Sequence, residues 1–368
     1  MKFGKKKIAF GLVFFVFAFA AFCQPTPKRP EAEKYSWRIL ENAQVAFDSA
    51  KYSEAMNLAN QARESRKAEI TWEVFILEKA LSPLAVRRAG ESFADVLKIL
   101  AERDENNAIE LINKYLRRYG TEFYDDSISN LVSWIREKTA YPEADFLIGK
   151  IYQIEGEYKT AYSFYEKARQ EREYLDIPNS VYDILYAMVD LARDSKNDEE
   201  YEQALLLILD SDKYFKDEVL KTSFIRILNA DKPTDVDRFF KLFRANTSNT
   251  LEALYELGNI YEKQGRREES LKCSALASIE AFTHIYEAIC ERDNSYEYTT
   301  YSDFLMKCSN YTDVLEWGYQ NHVWETMFLM ASRVNDSGKT KIAKQFFYVM
   351  SKSMPDSYWR AKALNKIN

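Results

Sequence analysis

The chain has 368 residues, with 51 basic and 57 acidic side chains, 46% apolar residues, and only ten glycines and eight prolines. That balance excludes extensive disorder, and the acidic excess disfavours a basic nucleic-acid-binding face. The length would hold two or three globules, or one elongated array of repeats with local contacts.

The amino terminus reads as a targeting segment. Lys2, Lys5, Lys6 and Lys7 precede an apolar run over residues 8–22, the pattern of a secretory signal peptide over 1–23 and short for a bilayer span. Two processing routes stay open, with an uncleaved anchor as a third. Ala18, Phe19 and Ala20 offer a small-x-small cleavage site, whereas Ala20, Ala21, Phe22 and Cys23 resemble a bacterial lipoprotein box ending in a lipid-bearing cysteine. Phe22 departs from the small residue usual before that cysteine. Residues 24–34, with Pro25, Pro27 and Pro30, then read as a proline-rich tether.

From residue 35 the apolar spacing is helical throughout, and the expected fold class is all-α. The spacing predicts helices over 35–49, 52–66, 70–81, 91–103, 105–119, 123–138, 143–155, 157–175, 179–195 and 198–210. The second half adds 214–230, 234–246, 248–264, 266–292, 296–309, 311–321, 323–336, 338–353 and 357–367. The breakers between them include Pro142, Gly156, Gly265, Gly338 and Pro355. The 15% of aromatic residues suits rings that fill gaps between stacked helices.

One stretch carries a repeat pattern. Gly149, Tyr152, Gly156, Tyr158, Ala161, Tyr165 and Ala168 resemble a tetratricopeptide unit, two antiparallel helices joined by a tight turn. Gly149 and Ala161 permit close helix contact, and Gly156 sits at the turn. Leu257, Gly258, Tyr261, Gly265, Ser270 and Ala277 repeat the spacing. Ala331, Gly338 and Ala343 keep it more loosely near the carboxyl end, as do Ala43, Tyr52 and Ala55 near the start. Ala192 and Ala204 are read as an intermediate unit, with an insertion near 176–179. Segments 79–140 and 294–322 lack the signature.

The resemblance implies an α-α superhelix over 35–368, capped by the helix over 357–367. It also implies a groove that takes a partner protein or peptide, facing Phe146, Lys150 and Gln153 and then Tyr255, Asn259 and Glu262. Exported members of this family serve the cell envelope, so the implied setting is the periplasm.

Catalytic signals are weak. Ser337, Gly338, Lys339 and Thr340 look like the end of a phosphate loop, but no strand precedes them and they read as a turn. Glu91 and Ser92 resemble the catalytic pair of lytic transglycosylases, without the rest of that motif; a cell-wall turnover enzyme is the alternative reading, and a transporter-associated ligand carrier is a third. Asp125 and Asp126 suit a helix start. Cys273, Cys290 and Cys308, with His284 and His322, lack zinc spacing, and one disulfide among the three cysteines stays open. No cofactor or metal is called for, and the chain reads as a non-enzymatic scaffold.

Overall fold

The computed structural model describes residues 26–85, 93–119, 128–210, 213–245 and 249–367. The protein is all-α, and no strand occurs among the described residues. Its packing divides it into two compact units, with the boundary along the chain between Pro178 and Asn179; the expected repeat domain over 35–368 includes residues of both.

Unit one contains α1 (Ser36–Asp48), α2 (Tyr52–Ala85), α3 (Phe93–Glu102), α4 (Asn106–Tyr119), α5 (Ile128–Glu137), α6 (Pro142–Ile154) and α7 (Tyr158–Gln170). Helices α1 and α2 form one hairpin and α6 and α7 another, and α2 also packs on α4, α5 and α6. Small residues allow the close approach: Ala43, Ala46, Ala55 and Ala59 meet Leu147, Ile148 and Ile151 in one core. A second core gathers Leu77, Leu100, Ile112 and Ile135.

The expected separate helices 52–66 and 70–81 are a single helix, α2. The residues between them, Lys67, Ala68 and Glu69, contain neither glycine nor proline, so nothing in the chain stops the helix there.

Unit two contains α8 (Val181–Asp194), α9 (Asp198–Asp210), α10 (Lys213–Lys216), α11 (Glu218–Asn229), α12 (Asp235–Leu242), α13 (Leu251–Lys263) and α14 (Arg267–Arg292). It continues with α15 (Tyr301–Cys308), α16 (Thr312–Gln320), α17 (Val323–Asp336), α18 (Thr340–Ser353) and α19 (Ser357–Asn365). Aromatic rings fill its interior as the composition suggests. Phe240 stacks on Tyr301 at 4.5 Å and on Phe282 at 4.8 Å, and Phe282 lies 4.3 Å from Phe304. The last helix, α19, is capped by Asp356, whose carboxylate accepts from the Trp359 N–H at 2.9 Å. It covers α18 and lays Trp359 5.1 Å from Phe328.

Six helix-to-helix turns among the described residues share one geometry. Ala50, Asp104, Gly156, Lys196, Gly265 and Gly338 each take φ between 55° and 82°. Each donates its N–H three residues back, and the following residue donates five residues back, as Gly156 does to Gln153 and Glu157 to Tyr152. This is the Schellman arrangement, which satisfies carbonyls left open at the end of a helix. The turn at Asp104 lies inside segment 79–140, so a regular hairpin of α3 and α4 stands where the sequence signature is absent. The turn at Lys196 shifts the expected intermediate unit: the residue seven before it, the place of Gly149 relative to Gly156, is Val189 and not Ala192. A lysine in the left-handed region gives no sequence signal for that turn.

Candidate functional site

The expected groove residues lie along α6 and α13, half-buried except for the exposed Glu262. Their side chains are engaged within the protein. Gln153 accepts from the Tyr165 hydroxyl at 2.7 Å, Phe146 lies 5.6 Å from the Tyr165 ring, and the Lys150 ammonium stands 4.7 Å from the centre of Phe47. In unit two, Arg333 donates to Asn259 at 2.8 Å and reaches Glu262 at 3.7 Å, while Ser270 donates to Glu262 at 3.0 Å. Tyr255 stacks on His322 at 5.0 Å, and burial pushes its hydroxyl up to about 12.

A cleft of about 580 Å³ in unit one escaped the sequence reading. Helix α2 presents Arg66, Glu69, Trp72 and Glu73 to it, residues three, six and seven positions apart on one helical face. Helix α4 presents Asn107, Glu110, Leu111, Lys114 and Arg117. The two faces are clipped together by Glu73, which accepts from Lys114 at 2.6 Å and from the Tyr115 hydroxyl.

The rest of the wall comes from the start of the described chain. Arg29, Pro30, Tyr35 and Trp37 line the cleft, and the Arg29 guanidinium stands 5.4 Å over the Trp72 ring. Arg29 therefore lies against α2.

Behind the cleft is a polar network. Glu69 accepts from the Ser36 N–H at 2.5 Å and from its hydroxyl at 2.8 Å. Arg66 donates to Asp176 at 2.8 Å and covers the Tyr141 ring at 4.7 Å. Burial pushes the Tyr141 hydroxyl up to about 12, with Arg66 pulling the other way. Four cationic and four anionic side chains line the cleft, so it is close to charge-balanced, with ring faces between the charges.

The other signals resolve as structure. Gly338 makes the turn into α18, as its sequence context suggests. His284 stacks on Trp317 at 4.0 Å, and burial lowers its basicity. His322 takes φ 54° at the start of α17. Cys273, Cys290 and Cys308 are free thiols. The signal segment, Cys23, the Glu91–Ser92 pair and Asp125–Asp126 lie outside the described residues. Among the described residues, no helix is long and apolar enough to cross a membrane.

No family model matches the chain. It is similar to an uncharacterized protein of Treponema pallidum (strain Nichols), 26% identical over 334 residues, which span 90% of this chain and 89% of that protein. The similarity thus runs through both units.

The cleft had a legible trace. Glu69, Trp72 and Glu73, and Asn107, Glu110, Leu111 and Lys114, each fall on one helical face. What the sequence could not supply is that these two faces oppose each other across a hairpin boundary.

Proposed function

We propose that this is a non-enzymatic interaction scaffold of the bacterial cell envelope. On this reading it is exported by its amino-terminal segment and held in the periplasm, with Cys23 as the residue that would carry a lipid anchor. Its helical hairpins belong to the tetratricopeptide-like class and take a partner protein or peptide.

The observation that carries the reading is the cleft between α2 and α4, with its exposed Trp37, half-buried Trp72 and compensated charges. Support for the hairpin class comes from the shared turn geometry and from the tight contact at Gly149, where a side chain would strike Tyr165. The cleft moves the expected partner site away from Phe146, Lys150 and Gln153, whose side chains already have partners inside the protein.

The test is crosslinking in cells from a photoreactive residue at Asn107, followed by affinity isolation. Enrichment of a specific envelope protein over a control probe at Lys352 is the expected result, and no enrichment overturns the reading. Clean protein that releases fragments from peptidoglycan, and loses this with Glu91→Gln, would make it an enzyme. Fatty-acid labelling of wild type and Cys23→Ser tests the anchor.

A further inference from the structure

The carboxyl-terminal end of unit two carries charge of one sign. Residues 337–368 hold seven basic side chains and one acidic one, Asp356, in a chain whose net charge is −6. We infer that the face of unit two made by α18, with α12 and α19 packed beside it, docks on the surface of an anionic lipid bilayer, a role separate from the partner cleft of unit one.

Helix α18 is packed by α12, α15, α17 and α19, which take Phe346, Phe347 and Met350 into the core. One stripe is left to solvent. Lys341, Lys344, Tyr348 and Lys352, the last three lying three, seven and eleven residues after the first, fall on one helical face, and all four are exposed. The two neighbours expose residues of the same kinds. Helix α12 lies against α18 through Phe239 and Phe240 on Phe346, and exposes Lys241 and Leu242. Helix α19 exposes Tyr358, Arg360, Leu364 and Lys366.

These cations are not neutralised within the protein. Lys241, Lys341, Lys344, Lys352, Arg360 and Lys366 make no ion pair among the described residues. Several exposed cations elsewhere do pair with a nearby acid, Lys51 with Glu54, Lys67 with Glu64 and Arg193 with Asp190. The acids closest in the chain or the fold are committed to backbone: Asp356 caps α19, and Asp231 accepts from the Lys341 and Ile342 N–H groups. A face that needed only water would mix the two signs, whereas this one leaves a positive field open to a partner.

The exposed apolar side chains select among anionic partners. Tyr348, Tyr358, Leu242 and Leu364 stand among the lysines with about half of their surface in water. A ring or aliphatic chain beside an ammonium suits the headgroup level of a bilayer, where the apolar part enters the acyl boundary and the ammonium stays with the phosphates. Such docking is peripheral, in keeping with the lack of a membrane-crossing helix among the described residues.

The experiment is cosedimentation with vesicles, using the chain from Gln24 on. This form keeps every described residue and drops the basic, apolar segment 1–23, which would bind vesicles by itself. Vesicles of phosphatidylglycerol and phosphatidylcholine in equal parts should bind it, and vesicles of phosphatidylcholine alone should not. Lys341→Gln, Lys344→Gln and Lys352→Gln together should weaken binding roughly 100-fold, since each cation near an anionic bilayer contributes about fivefold. Lys98→Gln, Lys159→Gln and Lys263→Gln, the same charge change at exposed lysines on other helices, should leave binding nearly unchanged. Tyr348→Ser should weaken binding to the vesicles and leave binding to heparin, a soluble polyanion, as it was. All of these side chains are exposed, and an unchanged melting temperature shows that each variant is folded. No binding to the anionic vesicles, or an equal loss in the two triple variants, would overturn the inference. So would a Tyr348→Ser chain that binds vesicles as tightly as wild type while heparin competes fully, because the face would then hold any polyanion, an acidic protein or a nucleic acid included.

Discussion

The ring of Tyr165 fills the space that a side chain on Gly149 would need: its Cδ1 and Cε1 lie 2.6 Å from where a Cβ would stand. Tyr165 has no room to retreat, because it is fully buried and donates its hydroxyl to Gln153. Alanine at 149 gains about 1 kcal/mol of helix propensity, against about 1–3 kcal/mol for overpacking a tight core. Gly149→Ala should therefore lower stability by about 1 kcal/mol in urea unfolding, whereas a rise would show that the two helices can part freely. Gly156→Ala meets open space and is strained only by its φ of 80°, so its cost, also about 1 kcal/mol, comes from the backbone.

Gly149 and Gly156 also show what was legible in the sequence and why. A bare contact surface and a left-handed turn both select glycine, so the hairpin of α6 and α7 could be read from residue types alone, as could that of α13 and α14. The turns at Asp104 and Lys196 have the same geometry without the glycine, and so the hairpins they close carry no sign of it. The continuity of α2 was missed because repeat length suggested a break where the chain has no breaker. The cleft was missed for a different reason. Its defining bond, Lys114 to Glu73, joins residues 41 apart, and no local rule pairs those two helix faces.

Asp145 is fully buried on α6 between two cations, Arg63 of α2 at 3.2 Å and Lys167 of α7 at 2.8 Å. The partners differ in their escape routes. Arg63 and Lys167 are 28% and 42% exposed, so with Asp145→Ala both can turn to water, and the loss should stay near 1–2 kcal/mol. With Arg63→Met and Lys167→Met together, the carboxylate is stranded, and the cost should reach about 3–5 kcal/mol. Denaturant unfolding of the three chains would check this; equal losses would mean that water already reaches Asp145.

The three free thiols should differ in reactivity. Burial pushes the Cys273 thiol up to about 12 and that of Cys308 higher still, whereas Cys290 is only half-buried. The thiolate is the reactive form. In a Cys23→Ser chain, an aromatic disulfide reagent at pH 8 should modify Cys290 alone, with Cys273 and Cys308 reacting only after denaturation. Mass spectrometry of the labelled peptides would locate the label, and early labelling of Cys273 would show that α14 opens locally.

Deleting residues 356–368 should lower the melting temperature and promote aggregation, because α19 covers part of α18 and Trp359 shields Phe328. A milder form keeps the chain intact: Trp359→Ala should cost about 2 kcal/mol, below the range for a fully buried tryptophan because Trp359 is half-buried. Unchanged melting in both would remove the capping role.

Tyr141 links the polar network behind the cleft to pH. Burial raises its hydroxyl from 10 to about 12, so the folded protein keeps that proton where the unfolded chain has released it. The stabilisation is complete below pH 10 and is lost as pH rises through about 12, since deprotonation then favours the unfolded chain. By pH 11.5 a shift of this size removes about 2 kcal/mol. Tyr141→Phe keeps the ring beneath Arg66 and has no proton to lose. The difference in stability between wild type and Tyr141→Phe, measured in urea at pH 8 and again at pH 11.5, should therefore move by about 2 kcal/mol against the wild type. Comparing the change between the two chains cancels the contributions of other buried tyrosines, such as Tyr186, whose hydroxyls are raised by burial as well. A difference that stays constant would mean that water reaches the Tyr141 hydroxyl in the folded state, and that the network of Arg66, Glu69 and Asp176 is open to solvent from the cleft.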